Sequence, residues 1–319
     1  MNTKFKIAVM LIMAAGLFSG GPAVAKTITI GVLIANTHPG LQADQNGFAK
    51  ALKEAGIEAT YDQQNAAGDM AAAEAAAEKF VADKVDMVHV VGLEAAQAAV
   101  KAVKDIPVVY SSVRDPIGAG IVPTLAAAGG NITGVSDAWP IEQQVEAFHS
   151  LLPSAKKWGT VYFGDDPYTV QAVERARVAM NSKGLELVAA RVSSYDEIKD
   201  SAKSLVGKVD AFFIMADRMV SVEFGAISGI CDKNKIPLFT GTPAQVTRGA
   251  VAGMGFDFFQ VGYSAGHKAV MILKEGKKPG EIPSGISEHL VMYISLKNAK
   301  RLGVEVPEEF LKKADRVFK

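Results

Sequence analysis

One cysteine in 319 residues, Cys231, leaves no internal disulfide to hold the fold, so stability must come from packing. It lies in the apolar helical stretch Val222–Cys231, which reads as a core thiol. An excess of one charge is also missing. Lys plus Arg and Asp plus Glu are 34 each, which removes the basic bias that nucleic-acid or anionic-membrane binding uses. A phosphate loop ending in Gly-Lys-Ser or Gly-Lys-Thr, a Gly-x-Gly-x-x-Gly after a strand, and a His-Glu-x-x-His are not found. The five histidines, His38, His89, His149, His267 and His289, lack metal-ligand spacing. No enzyme, no metal and no cofactor is expected. No run of about 20 apolar residues is present either, so no membrane span is expected.

What is there begins with a leader. Lys4 and Lys6 precede the apolar run 7–18, and Ala23-Val24-Ala25 is a small-x-small cleavage signal. We expect cleavage after Ala25, with no cysteine nearby to take a lipid, and hence a protein free in the periplasm, or secreted, with acidic residues two ahead of basic ones.

Beyond Lys26, short β-branched runs alternate with stretches of helical period, as in an α/β protein with parallel sheets. Strands are expected at 27–34, 59–63, 87–91, 108–111, 159–163, 186–192, 211–215, 238–240 and 251–256. Ser194 with Glu197 forms a capping box, and Asp166-Pro167 supplies a cap followed by proline at the first helical position. The halves also resemble each other. Lys84-Val85-Asp86 precedes a strand, a helix and Ile106-Pro107; Lys208-Val209-Asp210 precedes a strand, a helix and Ile236-Pro237. Two copies of one βαβα unit account for this, and two facing lobes would form a cleft where strand ends meet helix starts.

The sequence resembles the periplasmic substrate-binding proteins of ABC transporters with the type I fold, in the group that includes tryptophan- and phenylalanine-binding members. The resemblance is carried by His38-Pro39, Ala95-Ala96-Gln97-Ala98-Ala99, Asp105-Ile106-Pro107-Val108, Asp115 to Gly120, Gly129 to Asp137, Glu142-Gln143-Gln144, Ser204 to Asp210 and Leu296-Lys297-Asn298-Ala299-Lys300. It implies two doubly wound Rossmann-like lobes joined by three crossings near Ser136, Asp257 and Pro283. Lobe 1 is then 26–136 with 258–284, and lobe 2 is 137–257 with 285–319. It also implies a monomer that hands its ligand to an inner-membrane ABC permease; a module reporting to a membrane sensor kinase would use the same closure.

Polar and aromatic residues just after strand ends are the candidate contacts: Asn36 and His38; Gly92, Leu93 and Glu94; Ser111, Ser112, Arg114 and Asp115; Phe163; Asp217 and Arg218; Thr242; and on the crossings Ser136, Asp137, Trp139 and Asp257. An α-amino acid needs donors for its carboxylate, an acid for its ammonium and a surface for its side chain. The helix starting near Glu94, with Ser111 or Ser112, offers donors. Asp217 is the first-choice ammonium acceptor and Asp137 the next; His38, Trp139 or Phe163 offers the surface. An aromatic or branched apolar amino acid is the expected ligand. Aromatic binders of the group commonly carry Thr-Pro at Leu93-Glu94, Thr at Arg114 and Thr-Asp-Asn at Ala216-Asp217-Arg218. The arginines here would favour a more anionic ligand, or one presenting its carboxylate from the other lobe.

Overall fold

A computed structural model describes residues 27–127 and 129–319. The expected leader and its cleavage site after Ala25 lie outside the described residues. No described helix is long and apolar enough to cross a membrane.

The first lobe is built by β1 (Ile28–Ile34), α1 (Pro39–Glu54), β2 (Ala59–Asn65), α2 (Met70–Ala82), β3 (Met87–Val91), α3 (Leu93–Ala102), β4 (Val108–Ser111) and β5 (Ile132–Ser136). The second follows with α4 (Ile141–Leu151), β6 (Lys157–Phe163), α5 (Pro167–Asn181), β7 (Glu186–Val192), α6 (Tyr195–Ser204), β8 (Ala211–Ile214), α7 (Arg218–Val222), α8 (Phe224–Asn234), β9 (Leu238–Thr240) and β10 (Ala252–Phe256). The chain then returns through α9 (Phe258–Leu273) and β11 (Gly285–Ile286). It ends on the second sheet with β12 (Leu290–Ser295), α10 (Leu296–Leu302), α11 (Glu308–Lys313) and β13 (Arg316–Phe318).

The sheets run β11-β5-β4-β3-β1-β2 and β13-β12-β10-β9-β8-β6-β7. Stripped of the late additions, both have one order: β5-β4-β3-β1-β2 against β10-β9-β8-β6-β7. Strands pair in parallel except β10 with β12. The repeated Lys-Val-Asp performs one job twice. Asp86 accepts from the Thr29 N–H at 2.9 Å, and Asp210 accepts from the N–H groups of Lys156 and Lys157 at 2.8 Å each. Each carboxylate ties the entry of a central strand to the start of the first strand of its lobe.

Central strands are buried along their whole length, as in sheets covered on both faces by helices. In the second lobe Phe148 meets Phe213 and Phe239 at 5.3 and 5.2 Å between ring centroids, and Trp158 meets Phe239 at 5.4 Å. Burying each such ring is worth roughly 1.5–3 kcal/mol. Cys231 is buried in α8 and its thiol is pushed up to about 12 by that burial, so it is inert at neutral pH.

The third passage between sheets lies at 287–289, a few residues beyond Pro283, because Gly285 and Ile286 add an edge strand to β5. The Asp166-Pro167 cap forms as expected, with Asp166 accepting from the Tyr168 N–H at 3.1 Å. The Ser194 box does not close, because neither of its two bonds forms. Glu197 reaches back to the Ser193 N–H at 2.9 Å, while the Ser194 side chain makes no cap bond.

A Gly-x-Ser-x-Gly spacing does occur, at Gly262 to Gly266, but inside α9 and not at a strand-to-helix elbow. A Cβ at Gly262 would collide with the Asp44 carbonyl, and one at Gly266 would meet the Phe48 carbonyl at 2.7 Å. These glycines let α9 press against α1.

Candidate functional site

The strand ends of the first lobe meet the first crossing around one buried carboxyl that the sequence did not single out. Asp44, on the apolar face of α1 between Leu41 and Phe48, is fully buried. The Ser111 hydroxyl lies 2.6 Å from its Oδ1, and the Ser112 hydroxyl 2.5 Å from its Oδ2. Alternation along a strand would send these serines to opposite faces. Here Ser112 leaves the strand with φ +53°, in the left-handed region, so both converge on Asp44.

Behind Ser111 stands His89, also fully buried. Its Nε2 is 2.9 Å from the Ser111 hydroxyl, its Nδ1 is 2.7 Å from Gln45 Oε1, and its ring stacks on Phe48 at 3.8 Å. Burial holds the imidazole down to about 3, so it is neutral. Burial also lifts the Asp44 carboxyl to about 7, with a smaller upward push from the charge of Asp137 and a counter-pull from the Ser112 hydroxyl.

Asp137 follows β5 on the first crossing. Its Oδ1 is buried and has no hydrogen-bond partner among the described residues. Burial raises its carboxyl, and the nearby Arg114 partly offsets the rise. The Arg114 guanidinium, reaching from the first lobe, sits 5.5 Å from the ring of Trp139 and 5.7 Å from that of Tyr168. Trp139 and Tyr168 meet edge to face at 5.1 Å, and the Trp139 N–H donates to the Tyr168 hydroxyl at 2.8 Å. Burial pushes that phenol up to about 12, so it stays neutral. A carboxyl lacking a donor, a cation and two aromatic faces thus gather where the chain passes between lobes.

Other expected residues carry structural duties. Asp217 is 3% exposed and caps α7, accepting from the N–H groups of Met219 (2.9 Å) and Val220 (3.3 Å), while its other oxygen takes the Phe163 N–H at 2.7 Å. Both oxygens are engaged inside its own lobe, so it is not the open ammonium acceptor expected from its position. Asp257 similarly caps α9 through the Phe259 N–H at 2.8 Å. Asp115 closes a turn on the Gly118 N–H at 2.8 Å. The Ser136 hydroxyl links the Arg114 carbonyl to the Ala138 N–H, at 3.0 Å each. His38 caps α1 through Nδ1, accepting from the Gly40 N–H at 3.0 Å, with its exposed ring 5.9 Å from Phe258.

Gly92, at φ +96°, turns β3 into α3 and supplies no side-chain cap; a Cβ there would lie 2.8 Å from that of Ala35. The N–H groups opening α3, at Leu93 and Glu94, follow directly on β3, whose last residue Val91 pairs with Ser111, and no side chain caps them. Asn36 precedes His38 in the β1–α1 turn, Phe163 ends β6, Arg218 is exposed at the start of α7, and Thr242 starts the turn after β9. A groove of about 620 Å³ lies between α4 and α5, and its cations Arg175 and Lys183 are already paired with Glu142 and Glu146.

Sequence reasoning missed Asp44, His89 and Tyr168. A signal for Asp44 existed, since an acid at i+3 from Leu41 and i−4 from Phe48 falls on the buried stripe of α1.

Compared with known proteins, residues 29–318 match the family model of ABC transporter substrate binding proteins. The chain belongs to that family. It is 33% identical over 284 residues to a tyrosine-binding protein of Clostridioides difficile, covering 88% of this chain and 82% of the relative. Among solved structures it resembles a Streptococcus pneumonia ABC domain in complex with L-Trp, at 31% identity and TM-score 0.76, covering 92% of this chain and 100% of the other. It also resembles a ligand-free, open substrate-binding protein with adhesive properties from Clostridium difficile, at 31% identity and TM-score 0.84 with the same coverage. The protein is therefore a substrate-binding component of ABC transport and not an enzyme, and its sheets and topology are those of the type I periplasmic binding fold.

Proposed function

We propose that this protein is an exported, monomeric receptor that captures an aromatic α-amino acid between its lobes and delivers it to an inner-membrane ABC permease. The observation that carries this reading is Asp137, whose buried Oδ1 lacks a donor beside the rings of Trp139 and Tyr168. An ammonium group supplies that donor, and a flat apolar side chain suits the rings. The ligand carboxylate is assigned to the N–H groups of Leu93 and Glu94 at the start of α3, where the helix dipole favours an anion. Asp137 replaces Asp217 as ammonium anchor because the Asp217 oxygens are occupied. Arg114 closes one side of the pocket as a cation over the aromatic pair, and Ser112 lies between the two ends of the ligand. Phe163, Arg218 and Thr242 stand at strand ends of the second lobe, where they meet the ligand on closure.

The tyrosine-binding relative and the L-Trp complex support the ligand class. At equal identity and coverage the TM-score is higher to the open, ligand-free relative than to the L-Trp complex, which supports an open arrangement here. Calorimetric titration with L-tryptophan, L-tyrosine, L-phenylalanine, L-leucine and the methyl esters of the three aromatic acids tests the reading. Free aromatic acids should bind most tightly, and each ester should lose a charge-assisted hydrogen bond, on the order of 1.5–3 kcal/mol. Esters binding as well as acids would reject the assigned polarity. Loss of labelled amino-acid uptake on deletion would support delivery to a permease; uptake unchanged, with an altered transcriptional response, would favour signalling to a sensor kinase.

A further inference from the structure

The hydrogen-bond arithmetic around Asp44 leaves one proton to place. With the Gln45 amide turned so that Oε1 meets the ring at 2.7 Å, the His89 Nδ1 donates to it. A neutral imidazole with its proton on Nδ1 has a lone pair on Nε2, so the Ser111 hydroxyl at 2.9 Å donates to that atom. Ser111 has no second proton for Asp44 Oδ1 at 2.6 Å. That short contact is then made by a proton carried on Asp44, while Ser112 donates to Oδ2 at 2.5 Å. The row runs Asp44, Ser111, His89, Gln45, all of it buried.

We propose that Asp44 is a positioning residue of the ammonium site: it holds a proton in the empty receptor, releases it to solvent when an ammonium docks at Asp137, and then acts on that ammonium through Ser112. This rests on the amino-acid reading of the cleft. With its proton spent on Asp44, Ser112 has only lone pairs left for the ligand, so it accepts from an ammonium and gives nothing to a carboxylate. The charge of Asp137 adds to the rise that burial gives Asp44; an ammonium paired with Asp137 cancels that addition and, held at the Ser112 hydroxyl, favours the Asp44 anion. No bond other than O–H breaks, and the proton passes to water.

His89 Nε2 is 3.8 Å from Asp44 Oδ1 and neutral. Asp137 faces Asp44 from the first crossing, and Arg114 faces Asp137. Helix α9 meets Asp44 with Gly262; its Asp257 caps its own helix, and its Tyr263 donates to Glu54 at 2.7 Å.

Two measurements decide it. In the ligand-free protein, carbon-13 carboxyl NMR, assigned with Asp44→Asn, should find Asp44 protonated at pH 5.5 and titrating near neutrality. A carboxylate ionised throughout pH 5–8 overturns the proposal whichever ligand binds. Titration of L-tryptophan or L-tyrosine in two buffers of different ionisation enthalpy should then show proton release at pH 6–7. The association constant should rise up to about tenfold per pH unit below pH 7 and level off above, whereas Asp44→Asn should be flat. Proton uptake, or none, overturns the proposal, and the wild-type buffer comparison settles this even if the variant misfolds. Failure of every aromatic amino acid to bind at any pH instead refutes the ligand reading.

Discussion

Replacing Asp217 with alanine separates a fold residue from a ligand residue. The side chain accepts three backbone N–H groups, two at the start of α7 and one from Phe163 at the end of β6. Losing the cap costs about 1 kcal/mol, within a usual span of roughly 0.5–2. The Phe163 N–H loses an acceptor that, at 3% exposure of Asp217, water cannot readily replace, adding about 1–3 kcal/mol. Together the ligand-free protein should lose about 2–4 kcal/mol, a fall in Tm of roughly 5–12 °C for a lobe of this size. Scanning calorimetry of the ligand-free variant reads that fall. Titration with L-tryptophan should show an affinity loss well short of the about 2–5 kcal/mol that removal of an ammonium partner would cost. An unaltered melt combined with a large loss of affinity would refute the assignment and return Asp217 to the ammonium.

Three further outcomes follow from the same contacts. Asp44, raised to about 7 by burial, keeps a proton that the unfolded chain loses from about pH 4, so stability falls as pH rises between those values; His89, lowered to about 3, does the opposite below about 6.5. These slopes cancel between about pH 4 and 6.5, so Asp44→Asn should show unfolding free energy rising with pH by up to about 1.4 kcal/mol per unit there; a flat urea-unfolding profile would contradict it. Tyr168→Ala removes one aromatic face and the acceptor of the Trp139 N–H, so L-tryptophan should bind about 1–3 kcal/mol more weakly by calorimetry, and unchanged binding would remove the pair from the pocket. Gly92→Ala puts a Cβ 2.8 Å from Ala35 at φ +96°, so both Tm and affinity should drop; an unshifted Tm would deny the strain.

The fold was legible because buried parallel strands are short β-branched runs. Met87–Val91, Val108–Ser111 and Leu238–Thr240 fall where the sequence places them, as does the half-exposed edge strand Glu186–Val192. β5 was missed because Ile132–Ser136 has glycine at its centre and little apolar bulk. The two-residue β11 has no periodicity to read. At the site, strand-end position pointed to Ser112 and Arg114 and the expected crossing to Asp137 and Trp139, and the fold brings Arg114 to Asp137 and Trp139. Position alone cannot say which acids spend oxygens on helix caps, as Asp217 and Asp257 do. Nor does it show that Ser112 turns left-handed, which brings two hydroxyls onto a carboxyl 68 residues away in sequence.

The central claim, that Asp137 receives the ammonium of an amino acid, is tested most directly by titrating wild type and Asp137→Asn with L-tryptophan and with its deaminated analogue, indole-3-propionate. Wild type should prefer the amino acid by about 2–5 kcal/mol, the cost of breaking a buried, hydrogen-bonded charge pair, and Asp137→Asn should lose most of that preference while binding the analogue as before. A variant that still discriminates as wild type does would contradict the account.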